Sequence, residues 1–359
     1  MLGGAYPLTQ TSTIFLHSES NSIGKKVWPW LGLLTLLVLG FVLELSIGSI
    51  DMSLGELWNI LWGQGQAKAH YSFIVWDVRL PRALTAILAG SSLGVAGLLM
   101  QTLFRNPLAD PYVMGVSSGA SLGVALITLG GAGMGYASLV GYSVSMAAGC
   151  GATLMLAFIL AMSRFVPGHL GLLLLGIMTG YAVGALVQIL TYFSSAESIQ
   201  SFAMWSMGDY GRLALEDLPA PATILVSCML LCAICSPQLN IFLQGDNYAR
   251  SLGCSVQTLR WIIMLLAGVL SGTVTAVCGP IGFIGLTVPH VARRCFKSCD
   301  HRLLIPACIL IGASLSLCAD WLAQWPGSTM SLPLNAITAL LGAPIVIAII
   351  LRQGRMIRD

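Results

Sequence analysis

The chain has 359 residues, of which 56% are hydrophobic and only 9% are charged. A soluble domain carries about 25% charged residues, so this composition excludes an ordinary soluble protein and indicates an integral membrane protein. The net charge is only +3 and no block of like charges occurs, which gives no support to nucleic-acid binding.

The chain opens with a polar stretch, residues 1–26, that we expect to be a loosely ordered N-terminal tail on the cytoplasmic side. Up to Gly24 this stretch lacks the basic start and the short apolar core of a signal peptide. Lys25 and Lys26 then precede the first long apolar run. We expect the remaining residues, 27–359, to form a single transmembrane domain.

Ten apolar runs follow along the chain, and a membrane-spanning helix needs about 20 such residues. The runs are continuous and lack the alternation of strands, so they predict an all-α, polytopic membrane protein with about ten transmembrane helices. They lie near residues 27–48, 83–104, 112–130, 139–161, 170–193, 218–236, 259–278, 281–297, 303–323 and 334–351. The Gly- and Pro-rich stretch 279–290 leaves open a broken helix at the eighth position.

The basic residues predict the orientation of these spans. If the N-terminus is cytoplasmic, 13 of the 17 Lys and Arg residues fall inside, as the positive-inside rule requires. Only four fall outside, namely Lys68, Arg79, Arg82 and Arg212. This distribution favours two cytoplasmic termini and argues against the inverse arrangement.

Two of the outer segments are predicted to contain short helices. In the first, Ser53 stands at an N-cap position and Glu56 completes a capping box ahead of an amphipathic stretch. In the third, residues 194–217, the sequence AESIQSFAMWSMGDYG has a similar pattern with aromatic residues. Such helices lie at the outer interface or pack against the rim of the bundle.

The first distinctive inner segment is QTLFRNPLADPYVMGVSSGAS, residues 101–121. Its two prolines forbid a continuous helix. The side chains of Asn106 and Asp110 can bond nearby main-chain groups and fix a turn. Gly115 and the small residues after it allow close helix contact. We therefore expect an ordered connection here.

The second inner segment, residues 239–261, is too polar to span a membrane. Within it, DNYARSLG predicts a short helix with Asp246 or Asn247 as its cap and Gly253 as its terminator. A rigid short helix that projects into the cytoplasm can serve as a contact for another protein. An ordinary connector is the alternative.

The third inner segment, residues 278–302, is an apolar stretch punctuated by glycines and prolines, which predicts interrupted or closely packed helices. We expect His290 to be a polar residue satisfied near the inner surface. With His301, Cys295 and Cys299 it lacks the spacing of a tetrahedral metal site, so we predict no metal site.

Five strings from about residue 76 to the C-terminus resemble, in order and spacing, the permease subunits of type II ABC importers, the family that takes up iron-siderophores, haem and cobalamin. They are RLPRALTAILAG, RNPLADPYVMGVSSGA, ARSLG, GPIGFIGLTVPHVAR followed by DHR, and LPLNAITALLGAPIVIAIILR. The resemblance implies a homodimer in the bacterial inner membrane, with a translocation pathway at the dimer interface. It also implies two ATP-binding cassette subunits on the cytoplasmic side and a periplasmic substrate-binding protein.

The chain has no G-x-x-x-x-G-K-[ST] phosphate loop, so ATP hydrolysis is assigned to the partner subunit. We therefore expect this chain to be a transport subunit without enzymatic activity, with no cofactor of its own. The resemblance assigns the contact with the ATPase to a coupling loop at about residues 239–258, and within it to Ala249, Arg250, Ser251, Leu252 and Gly253.

The resemblance also implies a cytoplasmic gate, to which it assigns Asn106 and Leu108. The companion gate position is at His169 and Leu170, where the local residues differ from the family pattern. The fifth and tenth spans would face the pathway, and in the fifth the predicted lining residues are Met178, Tyr181 and Gln188. Apolar walls with occasional polar groups suit a bulky amphiphilic chelate, with a ferric siderophore as first choice, then haem, then cobalamin.

In the family, arginines equivalent to Arg79 and Arg82 meet acidic residues of the binding protein. An exposed arginine can offer a carboxylate a bidentate contact, which orients docking more than it adds affinity. The alternative is that both side chains reach lipid phosphates. Relatives often carry a further arginine before an ELP string, where this chain has Gln324 and then SLP at 331–333.

The principal rival class is an ion-coupled secondary transporter with a broken helix at 279–290. Such carriers place ionisable groups at mid-membrane. Here only Asp320 and Glu44 come near the apolar interior, both near predicted span ends, and the sequence shows no paired carboxylates. A membrane enzyme is less favoured, because no nucleophile–base or metal-ligand set converges.

Overall fold

The computed structural model describes residues 23–46, 52–62, 69–130, 140–166, 168–324 and 331–356, and its regular structure in these ranges is entirely helical. The α-helices in chain order are α1 (Ile23–Ser46), α2 (Leu54–Leu61), α3 (Ala69–Phe73), α4 (Leu80–Phe104), α5 (Val116–Thr128), α6 (Val140–Met162), α7 (Gly168–Tyr192), α8 (Ala196–Ser206), α9 (Pro219–Ile234), α10 (Ser236–Leu243), α11 (Asp246–Ser251), α12 (Val256–Cys278), α13 (Ile284–Phe296), α14 (His301–Ala323) and α15 (Leu334–Met356). A π-helical turn, Ile74–Arg79, joins α3 to α4, and a 3-10 turn, Pro111–Met114, precedes α5.

Each of the ten predicted spans coincides with a helix, which confirms the fold class. Six helices of the described chain are long and apolar enough to cross a membrane, or seven if the bent pair α9 and α10 counts as one span. The remaining predicted spans correspond to α5, α13 and α15, whose apolar parts are shorter. The stretch 279–290 consists of a non-helical connection at 279–283, directly after α12, and the first half of α13.

The centre of the bundle is α4, against which α12, α13 and α14 pack. Its glycines explain how the main chains approach so closely. A Cβ atom on Gly97 would lie 1.7 Å from the carbonyl oxygen of Gly285 in α13, and one on Gly90 would lie 2.2 Å from that of Gly312 in α14. These small residues therefore fix the helix crossings, as is common between membrane helices.

The helices around this centre expose apolar side chains. Only 6% of the apolar window of α1 and 11% of that of α7 are buried inside the chain. Helices that are apolar on all sides and exposed need a lipid or protein environment. These two helices are therefore positioned at the periphery, where the membrane or another subunit can cover them.

Two short helices occur where the sequence predicts them. The hydroxyl of Ser53 accepts from the N–H of Glu56, and the Glu56 carboxylate accepts from the N–H of Ser53, so the capping box before α2 is confirmed. Ser195 caps α8 in the other predicted outer segment. Most of the described arginines lie at one end of the bundle, which we call the basic end; α8 lies at the opposite end.

Candidate functional site

At the basic end, α4 gives way to the ordered connection predicted at residues 105–115. Arg105 is the C-cap and adopts a left-handed conformation with φ of 48°. The Asn106 carboxamide oxygen then accepts from the N–H of Leu108 at 2.9 Å, and the Asp110 carboxylate accepts from the N–H of Tyr112 at 2.9 Å. The predicted turn is confirmed, and Leu108, at its tip, is exposed.

This connection is fastened to α13. The Nε2 atom of His290 lies 2.8 Å from the carbonyl oxygen of Pro107, within hydrogen-bond distance. Arg293 donates to the side-chain oxygen of Gln101 at 2.6 Å, and Gln101 in turn donates to the Leu286 carbonyl at 3.2 Å. His290 is thus a satisfied polar residue near the basic end, as expected, and its contact with Pro107 holds the backbone of this connection.

Burial also affects the chemistry of this loop. It raises the pKa of Asp110 to about 6, although the hydrogen bond from the Tyr112 N–H opposes the shift. The Tyr112 hydroxyl accepts from the main-chain N–H of Ile281 at 3.2 Å, which ties the loop to the turn before α13. The loop is therefore built into the packing of the bundle at several points.

The predicted coupling segment, about residues 239–258, comprises the second half of α10, all of α11 and the start of α12. Ala249 is fully buried, whereas Tyr248, Arg250, Ser251 and Leu252 are exposed, with Leu252 at 53%. Gly253 follows the helix with φ of 77°, as expected of a terminator. One side of α11 thus anchors it and the other presents a mixed surface.

The prediction that Asp246 or Asn247 caps α11 is wrong. The N-cap is Gly245, and no side chain caps the helix. The Asp246 carboxylate instead bridges two arginines from other helices: its Oδ1 atom lies 2.5 Å from Nη2 of Arg105, and its Oδ2 atom accepts from Arg260. Neither arginine has a partner that its neighbours in sequence reveal, because Asp246 is 141 residues from Arg105 and 14 from Arg260.

The fifth predicted span, α7, presents the predicted pathway residues on its exposed surface. Tyr181 and Gln188 are seven residues apart and therefore share one face of the helix with Met178 nearby. All three side chains are exposed in the single chain, Tyr181 at 72%. Leu170 in the first turn is also exposed. The side chain of His169 lies outside the described residues.

At the opposite end, the structure corrects the expected placement of Arg79. Its side chain is only 5% exposed, and its Nη1 atom donates to the carbonyl oxygen of Leu45 at 2.7 Å, in the last turn of α1. A cation stabilises a helix C-terminus by satisfying its free carbonyls and its dipole. Arg79 therefore fastens α1, and the premise that its guanidinium is open to a partner is wrong in this structure.

Arg82 is half-buried and is also engaged within the chain. It makes a bidentate pair with Asp320 at 2.7 and 2.8 Å, and its Nη2 atom lies 3.3 Å from the Asp209 carboxylate. Gln324 donates both to Asp320, at 3.2 Å, and to Glu44. The two carboxylates that seemed separate in sequence are therefore brought together around Gln324, between the ends of α1 and α14.

The described chain contains a cavity of about 1270 Å³ at the opposite end. Its lining includes residues of α6, α9 and α12 and the charged residues Arg82, Asp209 and Arg212. Burial lowers the pKa of Arg212, whose Nη2 atom donates to two main-chain carbonyls at 3.0 Å. None of the three predicted pathway residues on α7 lines this cavity.

The two histidines weighed as metal ligands have other contacts. His301 lies 2.8 Å from both the Thr102 hydroxyl and the Asn240 side-chain oxygen, and its main-chain N–H donates to the same oxygen. Among the described residues, no group of three His, Cys, Asp or Glu side chains is arranged to hold a metal ion.

Comparisons with known proteins identify the machinery that these loops resemble. The model of the FecCD transport family matches residues 36–352. The hemin transport system permease protein HmuU of Yersinia pestis is 38% identical over 336 residues, covering 91% of this chain and 97% of that protein. The vitamin B12 import system permease protein BtuC of Klebsiella pneumoniae is 38% identical over 332 residues, covering 91% and 95%.

Among solved structures, this chain is similar to one described as an inward-facing conformation of a metal-chelate type ABC transporter. The TM-score is 0.79 at 30% sequence identity, and the match covers 90% of this chain and 98% of the other. The similarity therefore extends over most of the helical bundle.

Proposed function

Since the chain belongs to the FecCD transport family, as the permease component of an ABC importer of the haem, cobalamin and metal-chelate class, we propose that it imports a ferric siderophore across the bacterial inner membrane by alternating access. In this proposal the basic end is cytoplasmic, as the bias of Lys and Arg indicates. ATP is hydrolysed by a separate subunit that docks on α11, and the chain itself performs no bond-making chemistry.

The observation that carries the proposal is the construction of α11. A six-residue helix is anchored through the buried Ala249 and through Asp246, yet it exposes Arg250 and Leu252 at the basic end. The exposed apolar Leu252 and the neighbouring cation of Arg250, presented by a rigid helix, are suited to bind in a groove of a partner protein. Through such a contact, a conformational change of the ATPase subunit outside the membrane can move the helices of the bundle.

The pathway is proposed to lie between two copies of the chain, at α7. Comparison with α1 supports this assignment, because both helices are largely exposed but differ in polarity. The exposed face of α7 carries Tyr181 and Gln188, whereas the exposed polar residue Thr35 on α1 bonds its own helix at the Leu31 carbonyl. Lipid disfavours unpaired polar groups, so the polar face of α7 is better suited to a translocation pathway.

The gate is proposed at Asn106 and Leu108, with Leu170 on α7 as a companion. The ordered turn presents Leu108 at its tip, so a small rotation of the loop changes what this side chain blocks. Docking of a periplasmic binding protein is assigned to Arg82 at the opposite end, while Arg79 supports α1. The half-buried Arg82 already meets Asp209, which is 41% exposed, so an incoming carboxylate would compete for the same guanidinium.

The substrate class is testable with the assembled complex. We expect ferric siderophores to stimulate ATP hydrolysis by the complex of this chain, its ATPase and its binding protein more than haem or cyanocobalamin does. Stimulation by haem alone or cyanocobalamin alone would reject the siderophore assignment and leave the importer class intact.

One observation favours a second candidate, the ion-coupled secondary transporter. Glu44 and Asp320 share Gln324 within membrane-spanning helices, and paired intramembrane carboxylates are typical of proton-coupled carriers. Glu44 lies on α1 and Asp320 on α14, and the positive charge of Arg82 on α4 compensates their negative charge. Uptake driven by a proton gradient and abolished by Glu44→Gln would support this candidate over the importer.

A further inference from the structure

The contact between Asp246 and Arg105 joins two elements that the proposed mechanism needs to move together. Asp246 is the first residue of the coupling helix α11, and Arg105 directly precedes the gate residue Asn106. The two residues are 141 positions apart in sequence, so this contact is a specific link across the fold.

Arg105 is bound to the coupling segment by more than one interaction. Its Nη2 atom donates to Asp246 at 2.5 Å and to the carbonyl oxygen of Phe242 in α10 at 3.3 Å. Its guanidinium also lies 5.4 Å from the centre of the Phe242 ring. The side chain therefore follows α10 and α11, while its main chain belongs to the end of α4.

The flanks of α11 allow it to move as a unit. Gly245 and Gly253 stand on either side with φ of 118° and 77°, and neither has a neighbouring atom within 4 Å of where a Cβ would be. Glycine tolerates changes of these angles that other residues resist. In contrast, α4 is 83% buried over its apolar window and is held by three helices.

We propose that Asp246 is the positioning residue that transmits movement of α11 to the gate loop, by pulling on Arg105. The inference rests on the proposed function, in which α11 contacts the ATPase. Arg260 of α12 holds the second carboxylate oxygen and so orients Asp246 toward Arg105. Because Arg105 is a left-handed, non-glycine residue at the start of the loop, displacement of its side chain rotates the segment that carries Asn106.

The test uses the full complex of this chain with its ATPase, in nanodiscs, and needs no transported substrate. Hydrogen–deuterium exchange is measured over residues 104–115 and 243–254, without nucleotide and after trapping with ATP and vanadate. The variants are Asp246→Asn, which removes the charge at constant size, Arg105→Gln, which also shortens the side chain and removes its contacts with Phe242, and the double variant. The control is Arg294→Gln, because Arg294 is an exposed cation near the same end of α13.

In the parent and in the control, trapping changes exchange in both segments. In Asp246→Asn and in Arg105→Gln, the change persists in 243–254 and is lost from 104–115. The double variant matches either single variant, because both remove the same contact. If Asp246→Asn fails to assemble, Arg105→Gln alone decides.

A parent-like response of 104–115 in the variants would overturn the inference while leaving the coupling role of α11 standing. If trapping does not change exchange over 104–115 in the parent, the inference is overturned as well, and the coupling role of α11 again stands. A parent without a response in 243–254 would overturn the coupling role itself, and the inference with it.

Discussion

The pair of Arg82 and Asp320 provides the sharpest test of how the charged residues at the opposite end act. The Asp320 side chain is fully buried and accepts two hydrogen bonds from Arg82, whose side chain is only 17% exposed. Replacing Asp320 by Asn leaves this guanidinium beside a neutral amide, with the half-exposed Asp209 carboxylate at 3.3 Å as its remaining acidic partner. Removing one partner from a buried pair costs about 3–5 kcal/mol, and we take the lower end because Arg82 retains some solvent contact and its contact with Asp209.

For a chain of this length, about 3 kcal/mol corresponds to a fall of roughly 5 °C in the melting temperature. The assay is thermal unfolding in detergent, followed by tryptophan fluorescence. Glu197→Gln is the matched control, because Glu197 is an exposed acid in the first turn of α8, where its loss costs about 0.3–1 kcal/mol. The double variant Arg82→Met with Asp320→Leu is expected to recover most of the loss, since buried pairs exchange for apolar residues at little net cost.

The reasoning would be refuted by an Asp320→Asn variant that melts with the parent. That result would mean that Arg82 is solvated or relocated in the membrane-embedded protein and does not depend on Asp320 for its charge compensation. Equal losses in the single and double variants would also contradict it, because they would indicate a packing effect in place of a charge effect.

Three further predictions follow from the packing and the loops. Gly97→Ala places a Cβ 1.7 Å from a main-chain oxygen of α13, so we expect it to lower the free energy of unfolding by about 3 kcal/mol or more in the same melting assay. Gly32→Ala is the control: no atom lies within 4 Å of its Cβ, and we expect stability to be unchanged or slightly increased. Arg250→Glu and Leu252→Ala are expected to leave the chain folded while lowering substrate-stimulated ATP hydrolysis; stimulation at the parent level would argue against docking on α11. Tyr112→Phe removes the acceptor of a main-chain N–H in the turn before α13, and a loss of about 1–3 kcal/mol is expected, with an unchanged melting curve as the contrary result.

The helices could be predicted from the sequence because long apolar runs leave a chain in a membrane few alternatives. Local side-chain effects were also predictable: the Ser53 capping box, the Asn106 turn and the terminator Gly253 involve neighbours within four residues. The Gly and Pro residues at 279–290 predict the break between α12 and α13. Hydrophobic periodicity alone does not decide between one broken helix and two separate helices.

The long-range contacts of charged residues were not predictable in this way. Asp246 has the local signature of a helix cap, but its carboxylate contacts two arginines from other helices and does not cap its own helix. The position of Arg79 directly before a span predicts an exposed side chain, but its guanidinium donates to the Leu45 carbonyl at the end of α1. In each case the deciding partner is set by tertiary packing, which a single sequence does not reveal.

The central claim is that this permease moves its substrate only when an ATPase subunit drives it. The most direct measurement is uptake of a ferric siderophore into proteoliposomes that contain the purified chain, with and without its ATPase and ATP, and with imposed proton or sodium gradients. The account predicts accumulation only when ATPase, binding protein and ATP are all present. Accumulation by the chain alone under an ion gradient would contradict it.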